Sequence, residues 1–300
     1  MTPTFIMLCG LPGSGKSRFA SEYSKLTGFD VYSSDAIREE LYGEENSQVN
    51  NDEVFKVLHL RIKESLKSGI SAIYDATNIN SKRRRAFVSE LKNINCTKSC
   101  VIIATPYSRC IENNFGRERK VPVEVIKRMY MNWNTPYYFE GWNQINIVHY
   151  HKEEKSIFDW CYEMRKYNQD NLHHKHTLGI HCMKTANICD GNDLLFCTSL
   201  IHDCGKPFTK RFLNSKGECT NVAHYYNHHN VGAYDSLMFS YPDDIKELDV
   251  SILVNLHMQP YFWDKDLENR EKTINKYKQL WGNRLFDLVM NLHNADVNSH

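Results

Sequence analysis

Gly10-Leu-Pro-Gly-Ser-Gly-Lys16-Ser17 gathers three glycines, one lysine and two hydroxyls into a single short stretch. The spacing G-x-x-x-x-G-K-[ST] suits one task, holding a polyphosphate. Gly10, Gly13 and Gly15 let the backbone curl, so that its N–H groups, Ser14 among them, point inward at phosphate oxygens. Lys16 is expected to reach the β- and γ-phosphates, and the Ser17 hydroxyl to hold Mg²⁺. The cofactor expected from these residues is ATP, or another nucleoside triphosphate, with Mg²⁺.

Further residues of the first half carry chemistry of the same kind. In Ser33-Ser34-Asp35-Ala-Ile-Arg38, the Asp35 carboxylate is placed to accept a proton from an attacking hydroxyl. Arg38, one helical turn on, is placed to bind a phosphate; the competing role for Asp35 is a helix N-cap. In Asp75-Ala-Thr77-Asn78 the acid suits Mg²⁺ binding through water, phosphate positioning, or simply a turn, and Asp75, Thr77 and Asn78 are candidate substrate contacts. Lys82-Arg83-Arg84-Arg85 reads as a solvated basic helix face, with a nucleic-acid track as the alternative. Arg117-Glu-Arg119-Lys120-Val-Pro122 is a basic segment able to close over phosphates and stabilise charge on the transferring group.

The second half is rich in imidazole: 11 of the 14 histidines lie after residue 170. His181, His202-Asp203, His228, His257 and Asp296 each sit at the end or inner face of an apolar helical run. Buried polar groups without partners are costly there, and convergence on a metal satisfies them together. Imidazole-rich sets suit Mn²⁺, Fe²⁺, Co²⁺ or Ni²⁺ better than Mg²⁺.

The elements that must position these residues differ between the halves. Apolar strands at Phe5–Cys9, Phe29–Tyr32, Ile70–Tyr74, Cys100–Ala104 and Ile145–Tyr150 alternate with amphipathic helices, which predicts an α/β domain with a parallel sheet over residues 1–152. In such sheets ligands sit beyond the carboxyl ends of the strands, where the residues named above fall. Residues 153–170 read as a helical linker, and 171–300 as an all-α domain. With 37 Lys+Arg against 36 Asp+Glu, the chain is close to neutral, which argues against a non-specific polyanion coat. The ten cysteines form no C-x-x-C pair, no secretory leader is evident, and no run approaches a membrane span. A cytoplasmic, phage or bacterial setting with reduced thiols is expected.

The loop Gly10–Ser17, Asp35-x-x-Arg38, Asp75-Ala-Thr77-Asn78, the Arg117 segment and Glu140-Gly-Trp142 resemble phage-type polynucleotide 5′-kinases over about the first 150 residues. The resemblance implies that Asp35 is the general base on a 5′-hydroxyl. It implies that Arg38 contacts the acceptor's 3′-phosphate, and that a lid arginine, Arg117 or Arg119, contacts the donor phosphates. Asp75 is an approximate match, since the family's acid often falls where Ala76 stands.

The later set, His-Thr-Leu-x-x-His181, Leu-Ile-His202-Asp203-x-Gly-Lys206-Pro, Tyr-Tyr-Asn-His228, Leu-Val-x-x-His257 and Ala-Asp296, resembles the HD phosphohydrolase superfamily. That likeness implies one metal on His181, His202, Asp203 and Asp296, and a second on His228 and His257 with Asp203 bridging. Lys206 would hold the substrate phosphate.

Together the resemblances imply a bifunctional end-healing enzyme, acting on nucleic-acid ends with RNA favoured over DNA. It would phosphorylate 5′-hydroxyls, clear 3′-phosphates or 2′,3′-cyclic phosphates, and supply a separate RNA ligase. Two alternatives stand beside it. One is a small-molecule or nucleoside kinase joined to a nucleotide phosphohydrolase; the other is a nucleotide-sensing module regulating a phosphodiesterase.

Overall fold

Phe5-Ile-Met-Leu-Cys9 is apolar on both sides of its pleat, which demands cover on both faces. In the computed structural model, which describes residues 2–43, 51–150, 155–171, 175–263 and 267–300, this run is strand β1 (Thr4–Cys9) at the centre of a five-stranded sheet. Contacts divide the chain into two compact units, one of Met1–Tyr130 with Pro136–Lys152, the other of Met131–Thr135 with Glu153–His300.

The first unit runs β1, α1 (Lys16–Thr27), β2 (Asp30–Ser33), α2 (Ser34–Tyr42), α3 (Asn51–Lys67), β3 (Ala72–Asp75), α4 (Ser81–Glu90), β4 (Thr97–Ala104), α5 (Tyr107–Phe115), α6 (Val123–Tyr130) and β5 (Gln144–His149). All pairings are parallel, in the order β2-β3-β1-β4-β5. One face of the sheet packs Ile6, Leu8, Ile73, Val101 and Ile103 under α1 through Ala20 and Phe19. The other face is aromatic: Phe5 meets Phe87 edge-on at 5.4 Å, and Phe87 in turn stacks on His59 at 4.0 Å. Such ring pairs add to area burial about 0.5–1.5 kcal/mol each.

The expected solvated face at Lys82–Arg85 is corrected at one residue. Arg84 points inward, wholly buried, and makes two bonds to the equally buried Glu140, at 2.8 and 2.7 Å. Ser81 Oγ and Trp142 Nε1 also donate to Glu140, at 2.6 and 2.9 Å. Lys82 and Arg85 do line the surface, in a groove of about 650 Å³ with Lys92 and Lys98.

The second unit is mainly helical: α7 (Ile157–Glu163), α8 (Leu178–Ile188), α9 (Asp193–Ile201), α10 (Lys206–Thr209), α11 (His228–Asp235), α12 (Glu247–Leu256), α13 (Gln259–Trp263) and α14 (Arg270–Asn298), the last bent at Gly282. It is not all-α. A short parallel ladder joins β6 (Lys155–Ser156) to β9 (Phe239–Ser240), and an antiparallel hairpin joins β7 (Arg211–Leu213) to β8 (Cys219–His224).

Two segments belong to this unit against the expected division. The supposed linker, residues 153–170, contributes α7, whose Ile157, Trp160 and Cys161 are buried, and Gly179 on α8 lies where a Cβ would stand 2.3 Å from the Cys161 carbonyl. Residues 131–135 join it too. Trp133 is buried edge-on against Tyr234 at 4.9 Å, and Asn255 receives the Thr135 N–H at 3.2 Å. Among the described residues no helix is long and apolar enough to cross a membrane.

Candidate active sites

In the first unit the phosphate loop leaves the carboxyl end of the central strand, where β3 and β4 end on either side. Gly13 (φ 81°) and Gly15 (φ 99°) take left-handed backbone that glycine alone adopts freely. At Gly13 space forces the choice as well, because a Cβ would lie 2.2 Å from the Cys110 carbonyl. The loop is tied at three points: Gly10 N–H to Thr77 O (3.0 Å), Thr105 Oγ1 to Ser14 O (2.9 Å) and Asn113 Nδ2 to Gly13 O (2.9 Å).

Lys16 folds back into the loop and donates to Leu11 O at 2.8 Å. Burial, aided by Arg117, lowers its pKa, while Asp75 pulls it up. Asp75 is buried at the end of β3, and the Ser17 hydroxyl donates to it. Burial pushes its carboxyl above the usual range, against the pull of Lys16 and Ser17. A carboxylate and a hydroxyl meeting beside the phosphate loop are oxygen donors of the kind Mg²⁺ takes. Of the roles the sequence left open for Asp75, its contact with Ser17 favours the one at Mg²⁺.

The neighbouring residues separate. Asn78, expected at the substrate, turns inward with φ 45°, and its amide donates to Leu8 O at 2.8 Å. Arg84 Nη1 donates to the Asn78 carbonyl at 2.8 Å, and Thr77 gives its carbonyl to Gly10. Thr77 and Asn78 therefore pin the phosphate loop to the sheet.

Asp35 lies in the first turn of α2, where its backbone N–H bonds the capping Ser33 Oγ. The cap is Ser33, which leaves the Asp35 side chain for other work. Its Oδ1 accepts from Arg38 Nη1 at 2.8 Å, and Arg119 Nη1 stands 2.5 Å away as a second ion-pair partner. Arg38 is buried and also donates to Asn51 Oδ1 at 3.0 Å. The two lid arginines left open by the sequence take different places. Arg117 lines the cavity of about 340 Å³ around Gly13–Ser17, with Asn113 and Tyr150, whereas Arg119 stands at Asp35.

In the second unit His181 rises from α8, His202 and Asp203 follow α9, His228 opens α11, His257 caps α12 and Asp296 lies on the last turns of α14. All six are buried. Close approach requires Gly205, where a Cβ would stand 2.1 Å from the His228 carbonyl. Asp203 Oδ2 lies 3.5 Å from His181 Nε2 and 3.3 Å from His202 Nε2; its Oδ1 lies 3.2 Å from His228 Nε2 and 3.9 Å from His257 Nε2. Asp296 Oδ1 lies 3.0 Å from His181 Nε2 and 3.5 Å from His202 Nε2. Asp203 thus faces two histidine pairs, one through each oxygen.

The outer ring nitrogens decide what faces inward. Nδ1 donates to a backbone carbonyl from His202 (Ser199, 2.8 Å), His228 (Tyr225, 2.7 Å) and His257 (Val254, 2.7 Å). His181 Nδ1 meets Ser299 Oγ at 3.1 Å, and that hydroxyl donates onward to Asp296 O. In a neutral ring Nε2 is therefore a bare lone pair, while at His202 burial is outweighed by the carboxylates of Asp203 and Asp296, which raise the pKa well above its usual value and draw positive charge to the same place. The four Nε2 atoms face each other at 3.3 Å (His181, His202) and 3.2 Å (His228, His257), with carboxylate oxygens between. Such a donor set repels itself and fits a cation.

Burial, with His228 and His202 adding like charge, pushes His257 down to about 3, which keeps it neutral. Burial opposes ionisation of Asp203, but Lys206 and His202 outweigh it and hold the carboxyl well below its usual range. Lys206 Nζ lies 2.6 Å from Asp203 Oδ2 and donates to Gln169 Oε1 at 2.8 Å, so its expected hold on a substrate phosphate begins from a carboxylate contact. Four groups here carried no sequence signal: Gln169; Tyr261, whose hydroxyl donates to Asp296 at 3.0 Å; Ser299; and His300, whose Nε2 lies 3.6 Å from Asp296.

Residues 5–136 match the family model described as an AAA domain. The L-seryl-tRNA(Sec) kinase of Methanococcus maripaludis is 31% identical over 154 residues, 48% of this chain and 57% of the relative, so the match spans little more than half of that protein. Among solved structures, a putative kinase from Chloroflexus aurantiacus is 16% identical over 50% of this chain and 89% of its own, with a TM-score of 0.41. A chain of the Pnkp1/Rnl/Hen1 RNA repair complex is 20% identical over 44% of each chain, with a TM-score of 0.40. The first unit is a P-loop, kinase-like domain.

Proposed function

We propose that the chain is a bifunctional enzyme that heals nucleic-acid ends, phosphorylating 5′-hydroxyls from ATP in the first unit and removing 3′-phosphate or 2′,3′-cyclic phosphate in the second. The observation that carries the kinase reading is Asp35 with two arginines, Arg38 and Arg119, close to a complete phosphate loop. A module that only sensed nucleotide would need no carboxylate and paired cations at an acceptor position. In the proposed step Asp35 takes the proton from the 5′-hydroxyl as its oxygen bonds to the γ-phosphorus, and the bond to ADP breaks. Lys16 and Arg117 neutralise charge on the donor phosphates, while Arg38 and Arg119 hold an acceptor phosphate next to the reacting hydroxyl.

For the second unit, His181, His202, Asp203 and Asp296 would hold one divalent ion, and His228 and His257 a second, with Asp203 touching both. Ions bound so lower the pKa of water and neutralise a phosphoester under attack. The chain's own groups orient the ligands through the carbonyl bonds at Nδ1. Lys206, released from Asp203, steadies the phosphate.

The relative named for L-seryl-tRNA(Sec) favours a second reading, in which the acceptor hydroxyl is carried on a tRNA away from its 5′ end. One experiment separates the readings. Purified protein with ATP and Mg²⁺ is given 5′-OH oligonucleotides, 3′-phosphate oligonucleotides, or aminoacylated tRNA, and the products are resolved. The end-healing reading requires labelling of the 5′-OH end, its loss in Asp35→Asn with ATP binding retained, and release of phosphate from the 3′ end. Labelling of seryl-tRNA alone would replace it with the second reading.

A further inference from the structure

The β7–β8 hairpin has a composition that its fold does not require. Phe212 and Leu213 on β7 are 45% and 39% exposed, as is Phe208 just before it, at 39%. A two-stranded hairpin ordinarily turns such side chains toward a core, and here Phe212 and Leu213 keep much of their surface in solvent. Cations lie over neighbouring rings. The Arg211 guanidinium is 4.2 Å from the Tyr226 ring centre, and Lys210 Nζ is 4.8 Å from that of Tyr167 and 6.0 Å from that of Phe212. His224, paired in register with Arg211, stacks on Tyr226 at 5.5 Å and 15° between planes. Asp170 and the Asn168 carbonyl hold Lys210 in place, whereas Arg211 has no carboxylate partner among the described residues.

The hairpin runs straight into the metal-type centre. After β8 come Tyr225, Tyr226 and Asn227, then His228 itself. The Tyr225 carbonyl orients the His228 ring at 2.7 Å, and the Tyr225 ring stands 5.4 Å from Lys206 Nζ, which contacts Asp203. Rings and cations therefore recur from exposed Phe212 through Tyr226 to Tyr225, which adjoins the buried Lys206 and His228.

We infer that this hairpin is a stacking platform for the last nucleotides of a single-stranded nucleic acid whose 3′ end enters the His/Asp centre. Flat rings offer sequence-tolerant stacking to bases, and Arg211 with Lys210 supplies charge for the intervening phosphates. Nucleic acid is favoured over an acidic peptide because exposed Phe212 and half-buried Tyr167 and Tyr226 set flat rings beside cations; an acidic peptide would be held chiefly by the charge. The inference rests on the end-healing reading, and its test is built to separate the two.

The test uses the full chain and oligonucleotides with a 5′-phosphate, which removes them as kinase acceptors, and a 3′-phosphate. In one series the last three nucleotides carry bases; in the other they are abasic. For the native chain kcat/KM should favour base-bearing ends, with the difference in KM. Phe212→Ala should shrink that preference by roughly tenfold, the worth of one stacked base, and Phe212→Trp should restore it. A native chain indifferent to bases, or a preference untouched in Phe212→Ala, would overturn the platform. If neither series is hydrolysed, the phosphatase reading has failed and the platform is judged by binding of the same oligonucleotides in fluorescence anisotropy. A base-dependent affinity lost in Phe212→Ala upholds it, and a base-independent affinity removes it. Competition by a poly-glutamate peptide equal to that by the oligonucleotide would assign the surface to an acidic protein instead.

Discussion

Glu140→Gln keeps the shape of the side chain and removes its charge, leaving Arg84 buried without a counter-ion. Both partners are wholly shielded from solvent, and the guanidinium makes two bonds to the carboxylate, at 2.7 and 2.8 Å. Breaking one partner of such a pair costs about 3–5 kcal/mol, because a buried charge is left uncompensated. Against a total stability of about 5–15 kcal/mol for a domain, that is a large loss. Arg84→Met with Glu140→Gln removes both charges; the amide oxygen accepts from Trp142 Nε1, and the amide NH2 donates to Ser81 Oγ, whose hydroxyl turns to receive it. At least half of the lost stability should return.

The assay is hydrogen exchange of β1 and β3 amides in increasing urea, which reads the first unit by itself. Nucleotide affinity should fall with the single change, since Arg84 also holds the Asn78 carbonyl and Asn78 holds Leu8 at the mouth of the phosphate loop. A cost below about 1 kcal/mol for Glu140→Gln, or a double variant no more stable than the single one, would refute the account of a charge-paired core.

Other expectations follow from the separate sites. Arg117→Ala should raise KM for ATP, and Arg119→Ala should raise KM for the acceptor, because one lines the loop cavity and the other meets Asp35; identical steady-state profiles would remove that division. Gly205→Ala forces a methyl to within 2.1 Å of the His228 carbonyl and should cost about 1–3 kcal/mol. It should also lower metal content measured by mass spectrometry, while unchanged content would show that α10 can move aside. Asp203→Ala should empty the centre of metal more completely than His228→Ala, since Asp203 faces both histidine pairs; equal retention in the two variants would contradict its bridging place. Chelation followed by Mg²⁺ alone should restore 5′-phosphorylation and leave phosphate release weak, and full recovery of both would exclude an imidazole-held transition metal.

Much of the phosphate site can be read from the chain because its parts are contiguous. The phosphate loop is a local conformation, and Gly13, Gly15, Lys16 and Ser17 specify it within a few residues of one another. The strand–helix alternation is local too, so the parallel sheet of the first unit follows from apolar runs alone. The candidate ligands His181, His202, Asp203, His228, His257 and Asp296 stand out for a related reason. Each is a polar group at an apolar helix, and a buried polar group needs a partner.

Partnership between distant residues is another matter. Nothing along the chain says that Arg84 seeks Glu140, that Arg119 rather than Arg117 meets Asp35, or that Asn78 turns toward Leu8. Residues 131–135 fall within the span 1–152 expected to form the α/β domain, yet Trp133 and Thr135 are buried in the second unit against Tyr234, Ser251 and Asn255. Gln169 meets Lys206 only because α10 follows Gly205, whose missing side chain lets His228 close on Asp203. Local propensity and burial are properties of a short window, and the sequence states them. Side-chain pairing depends on how whole elements pack, and packing alone brings the lone pairs of four histidines and the oxygens of two aspartates to one centre.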